Sequence, residues 1–123
     1  MEYIATSKAP GAIGPYSQAV VAGGMVYTSG QIAINPESGN IEAADIKGQT
    51  EQVCRNLKAV LEAAGSSLEK VVKTTCFLSD MDNFAAFNEV YAKYFTTKPA
   101  RSCVAVKTLP KNVLVEVDTV ARV

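Results

Sequence analysis

The residues of this chain best equipped for chemistry lie in its last quarter, PARSCVAVKTLPKNVLVEVDTVARV, from Pro99 to Val123. Arg101 carries a planar guanidinium that stays charged at every working pH and offers two parallel donors matched to a carboxylate. Glu116 interrupts the apolar run LVEV. Desolvation in such a setting raises a carboxyl pKa and a nearby cation lowers it, so Glu116 could shuttle a proton or orient water. Two apolar runs joined at Pro110, Lys111 and Asn112 read as a β-hairpin. Side chains alternate faces along a strand. A register placing Cys103 opposite Glu116 sets Arg101 opposite Asp118 and gathers a cation, a thiol and carboxylates in one cross-strand neighbourhood. A slip of one residue sends Glu116 to the other face. The bland alternative is a surface ion pair of Arg101 with Asp118 and a solvated edge-strand acid at Glu116.

Histidine is absent from all 123 residues. Its absence removes Ser-His and Cys-His nucleophile pairs and most zinc and iron sites of ordinary type. Acid and base work then falls to carboxylate, thiol, phenol, lysine or bound water. With no histidine to activate it, Cys103 reads as a small pocket-lining residue rather than a nucleophile. Cys54, Cys76 and Cys103 are odd in number and form no CxxC, which fits free thiols in a reducing compartment and makes the cytoplasm the expected location. Lys plus Arg and Asp plus Glu both total 12, and the cations are scattered among acids, which argues against nucleic acid as a partner. MEYIATSKAP carries no pattern of an export or organelle signal, and no apolar run approaches membrane-spanning length, so no membrane association is expected.

The elements that must position these residues follow from local pattern. The length fits one domain, 1–123. A short strand near Tyr3 to Thr6 precedes a loop ending at Gly14 and Pro15. Ser17 to Ala22 and Met25 to Ser29 read as strands joined at Gly23-Gly24 by a tight turn with positive φ, which brings Tyr16, Ser29 and Gly30 to one end of a sheet. Asn35 to Asn40 is a turn by composition. A long helix follows, with Asp45 as N-cap, an apolar stripe through Val53, Cys54, Leu57, Val60, Leu61 and Ala64, and Gly65 at its end. Cys54 and Cys76 read as core. Val71 to Leu78 is a strand, and Asp80 or Asp82 caps a second helix with the stripe Phe84, Phe87, Tyr91 and Tyr94. Asn88 intrudes on that stripe as a structural amide tying the helix to a loop or, alternatively, as a ligand contact. The whole is an α+β fold, a mixed sheet with two helices on one face. Val113 to Val123 is apolar on both faces, which points to self-association through the open side of the sheet.

Ordered blocks spanning nearly the whole chain, AIGPYSQAV from Ala12, YTSGQI from Tyr27, VVKTTCFLSDMDNF from Val71, FNEVYAKYF from Phe87, then PARSCVAVKTLP and VEVDTVA, resemble the reactive intermediate deaminase family of RidA or YjgF type. The resemblance implies a chorismate-mutase-like fold assembled as a homotrimer with clefts between subunits. It implies hydrolysis of 2-imino acids, 2-iminobutanoate and 2-iminopropanoate, to 2-keto acids and ammonia, with no metal or organic cofactor. Arg101 matches the arginine that binds the substrate carboxylate. Tyr16, Ser29 and Gly30 match cleft positions, the Gly30 N–H being a second donor; apart from the resemblance, Asn88 as the alternative ligand contact and Cys103 as a lining residue are the other candidates for substrate binding. Glu116 would position and deprotonate water. The chain departs from the family pattern before the arginine, where only Thr96, Thr97 and Lys98 separate Phe95 from Pro99 and no aromatic precedes the proline. This shortens one wall and bears on substrate size, and Lys98 would add a cation near the cleft mouth. Competing readings are a non-catalytic module holding a small carboxylate, an RNA-directed ribonuclease or translation inhibitor disfavoured by charge and by the missing histidine, and a chaperone-like role.

Overall fold

Paired glycines set the first hairpin. The computed structural model describes residues 1–123. After β1 (Glu2–Ile4), strands β2 (Ala19–Ala22) and β3 (Met25–Thr28) pair with Ala22 opposite Met25. Gly23 and Gly24, at φ 58° and 77°, supply the two left-handed residues that such a two-residue connection needs. Helix α1 (Ile46–Ala63) begins at Asp45, whose side chain accepts from the Gly48 N–H. It ends as expected at Gly65, with φ 80°, where the Gly65 and Ser66 N–H groups bond the Glu62 and Leu61 carbonyls. Its apolar stripe, including Cys54, is buried.

Strand β4 (Val71–Leu78), helix α2 (Phe84–Tyr94) and strand β5 (Ala100–Ala105) form a parallel β-α-β unit, and β6 (Val115–Arg122) closes the chain. Asp80 caps the short turn Met81–Asn83 rather than α2 itself, whose N-cap is Asn83. The six strands lie in the order β1-β2-β3-β6-β4-β5. Helix α1 packs against α2, β6 and β3. Leu57, Leu61, Leu78, Phe87, Val115 and Val117 are fully enclosed between helices and sheet, so the α+β reading with both helices on one face holds.

The C-terminal hairpin does not exist. Strand β4 lies between β5 and β6, pairing parallel with one and antiparallel with the other. Cys103 is opposite Cys76, which is opposite Val117, and Arg101 is opposite Thr74, which is opposite Thr119. The reason is burial. Val115, Val117, Thr119 and Ala121 are almost wholly shielded beneath the helices, and a strand so apolar takes the centre of a sheet rather than a partner at its edge. On the opposite face Tyr3, Val20, Tyr27 and Val120 fall in one cross-strand row, with Tyr3 67% and Tyr27 49% exposed.

Buried amides that the stripe pattern did not single out tie the loops to this frame. Gln18 accepts from the Thr6 N–H at 2.6 Å and donates to the Thr6 and Pro10 carbonyls at 3.0 and 2.7 Å. Asn56 on α1 donates to the Ile32 and Ile34 carbonyls, and Gln49 donates to Ala43 while accepting from the Leu114 N–H. Replacing Gln18 with Ala strands the Thr6 and Pro10 groups and is expected to cost about 1–3 kcal/mol. A lower denaturant midpoint at unchanged m-value, with faster proteolysis between residues 5 and 17, would register that loss.

Candidate functional site

The alternation of β5 sends Arg101 to the helix side of the sheet, where α2 has prepared a cradle for it. Phe84, Asn88 and Tyr91, at positions i, i+4 and i+7, share one helix face. Arg101 Nη1 donates to Asn88 Oδ1 at 2.8 Å, and the guanidinium carbon lies 4.9 Å from the Tyr91 ring centre and 5.4 Å from that of Phe84. Both distances are cation–π contacts. Tyr91 is fixed in turn, stacked on Phe95 and hydrogen-bonded through its hydroxyl to Thr74 Oγ1 at 2.8 Å. Burial raises the Tyr91 phenol pKa, so the ring stays neutral under the cation.

No carboxylate neutralises Arg101. The ion pairs of the chain are Lys47 with Glu89 and Arg55 with Glu51, and the surface pairing with Asp118 is not formed. A half-buried guanidinium held by a neutral amide and two π faces keeps donors for an incoming anion. Asn88 is thus a structural amide, but its partner is Arg101 rather than a loop. Cys103 lies on the same side, beside Cys76. Burial raises the Cys103 pKa, opposed by Arg101, and pushes Cys76 up to about 12 and Cys54 higher still. These thiols stay protonated, in keeping with lining and core roles.

Glu116 belongs to the other face. It sits opposite Phe77 on β4 and opens into a cavity of about 720 Å³ lined by Tyr16, Ser29, Gly30, Gln31, Glu116 and Asp118, among others. The first hairpin does bring Tyr16, Ser29 and Gly30 to one sheet end. The Ser29 N–H donates to the Gln18 carbonyl at 2.9 Å and the Ser29 hydroxyl to that of Ser17 at 2.6 Å. Gln31 and Val117 exchange both backbone bonds, at 2.9 and 3.2 Å, and this seats Gly30 directly over Glu116. A Cβ on Gly30 would overlap the carboxylate, lying 2.9 Å from its Cδ. The Gly30 N–H has no partner within the chain. Burial, and after it the charge of Asp118, raises the Glu116 pKa. Asp118 is raised by burial too, but the Thr75 hydroxyl opposite opposes this.

The expected convergence of Arg101, Cys103 and Glu116 within one cross-strand neighbourhood is therefore incorrect for a single chain. Inserting β4 between the two strands fixes their register independently, and the result places the cation and the acid on opposite faces. Arg101 does not lower the Glu116 pKa, and Cys103 does not lie between them. The arrangement is two half-sites, an anion clamp on the helix side and an acidic recess on the open side. Sequence reading missed the clamp's support from Phe84, Tyr91 and Thr74, although the spacing of Phe84, Asn88 and Tyr91 carried the signal. No three His, Cys, Asp or Glu side chains are grouped to ligate a metal.

Known proteins resemble this chain along nearly its whole length. The chain is 54% identical over 121 residues to a RutC family protein of Pyrococcus horikoshii, covering 98% of this chain and 96% of that one. It is 48% identical over 122 residues to the 2-iminobutanoate/2-iminopropanoate deaminase of Escherichia coli K12, covering 96% and 94%. The solved structure of Escherichia coli TdcF with bound serine superposes with a TM-score of 0.95 at 44% identity, covering 100% and 99%. A family model described as endoribonuclease L-PSP matches residues 6–123. On this match and these identities, the chain belongs to the reactive intermediate deaminase family of RidA/YjgF type.

Proposed function

We propose that this protein hydrolyses reactive 2-imino acids to 2-keto acids and ammonia in the cytoplasm, in clefts formed between the subunits of a homotrimer. The observation that carries the reading is Arg101, a rigidly cradled cation with no carboxylate partner, which matches the carboxylate of such a substrate. The 48% identity to a deaminase of this class supports the same substrates, and the serine held by the TdcF structure is itself a small amino acid. A lone chain cannot present Arg101 and Glu116 to one small molecule. The exposed apolar row on the open face supports an assembly in which the clamp of one subunit meets the recess of the next.

The chemistry then needs little beyond placement. Arg101, oriented by Asn88, and the Gly30 N–H of the adjoining subunit hold the substrate carboxylate. Glu116 accepts a proton from water as the water oxygen bonds to the carbon of the protonated imine and the C=N π pair moves to nitrogen, leaving a neutral carbinolamine. Protonated Glu116 then gives that proton to the carbinolamine nitrogen, the regenerated carboxylate takes the hydroxyl proton as the C–N bond breaks and ammonia leaves, and release of this proton to solvent resets the acid. No metal or organic cofactor enters these steps. Tyr16, Ser29 and Cys103 shape the walls. The endoribonuclease description attached to the family finds no support in a chain of zero net charge without histidine.

Release of keto acid from imine generated by a threonine dehydratase should be faster with this protein than in buffer. Folded protein giving no acceleration would refute the reading. Arg101→Ala should lower kcat/KM on the order of 100-fold, as expected when one partner of a buried charge pair is removed. Gly30→Ala should displace Glu116 and depress kcat with little loss of thermal stability. Arg101→Ala and Glu116→Gln subunits, each strongly impaired alone, should regain activity when refolded together, with roughly one quarter of sites intact in a random mixture. Failure of mixed subunits to complement would overturn the shared cleft.

A further inference from the structure

Two carboxylates face the acidic recess, and only Glu116 has been given work. Asp118 lies two residues further along β6, so both side chains leave the same face, and both line the one cavity. Both are half-buried. Their surroundings differ. Glu116 is opposite Phe77, which offers no hydrogen bond, and is pressed beneath Gly30. Asp118 is opposite Thr75, whose hydroxyl favours the charged carboxylate. One acid therefore has help in staying ionised and its neighbour does not.

We propose that Asp118 is a positioning residue for Glu116, a fixed anion on the same strand face that makes Glu116 the carboxyl that carries the proton in this recess. The other groups facing Glu116 do not supply that charge. From β4 come Phe77 and Thr75, with Lys73 further along opposite Val120. The segment after β3 contributes Gly30, the loop before β2 contributes Tyr16, and the turn before β6 contributes the exposed Lys111. Asp118 is the only other acid lining the cavity. Burial shifts both carboxyls upward, but the Asp118 charge adds to the shift of Glu116, whereas the Thr75 hydroxyl opposes that of Asp118. A carboxylate with greater proton affinity is the better acceptor from water, and it can return the proton to the departing nitrogen. The inference deepens the proposed hydrolysis and uses it only for the kinetic readout.

The test is a titration of the full-length protein carrying 13C-carboxyl-labelled glutamate, with the Glu116 signal assigned by its loss in Glu116→Gln. Asp118→Asn should move the Glu116 midpoint to lower pH, and Asp118→Glu should keep it high. The acid limb of kcat/KM in the imine assay should move with it, since Glu116 must be unprotonated to accept from water. A purely structural role for Asp118 would change the plateau and leave the midpoint in place. An unchanged Glu116 midpoint in folded Asp118→Asn overturns the proposal. Should that variant not fold, Asp118→Ser serves in its place, where a lowered Glu116 midpoint supports the fixed anion and an unchanged one overturns it. A wild type silent in the imine assay but showing the midpoint shift would remove the hydrolysis and uphold the pair.

Discussion

Side-chain parity across three adjacent strands is the constraint on which this molecule turns. In any ladder, residues directly opposite share a face, so β4 transmits one parity to β5 on its one side and to β6 on its other. Thr74 and Cys76 are buried under the helices, and the positions paired with them, including Arg101 and Cys103, therefore take the helix side of the sheet. Thr75 and Phe77 take the other face and bring Asp118 and Glu116 with them. No rotamer change moves a group through a sheet. The separation of cation from acid is thus as firm as the core, because reversing it would expose Val115, Val117 and Ala121.

The two faces also differ in how they treat charge. On the helix side the cation is held by groups that cannot neutralise it, an amide oxygen and two aromatic rings, so its field stays available for an anion. On the open side two acids sit in partial burial with only an exposed lysine at the rim, so the field is negative and proton affinity is high. A molecule bearing a carboxylate at one end and a basic nitrogen at the other is complementary to the pair of surfaces taken together. Neither surface alone distinguishes it from many small ions.

Much of this was legible in the sequence wherever the information was local. Gly23-Gly24 demanded a primed turn, Asp45 and Gly65 bracketed α1, and the apolar spacing of both helices named their buried faces. The family resemblance named Arg101, Glu116, Tyr16, Ser29 and Gly30, and helical spacing singled out Asn88. What could not be read was the order of strands. Two apolar runs joined near a proline look like a hairpin, and nothing within Pro99 to Val123 says that a strand some thirty residues earlier comes between them. Polar anchors such as Gln18, Asn56 and Thr74 were missed for a related reason. Their partners are backbone groups or a phenol far away in the chain, and a buried amide looks like an exposed one until its neighbours are known.

The seating of Gly30 on Glu116 reaches into how such a chain can change over time. The volume a methyl group would need is already taken by a carboxylate, so the two positions form one steric unit despite being 86 residues apart. A lineage that trades the glutamate for something smaller frees its glycine to vary. One that retains the acid is held to glycine for as long as it does, so the glutamate should not appear in descendants without the glycine, whereas the glycine can outlast the glutamate.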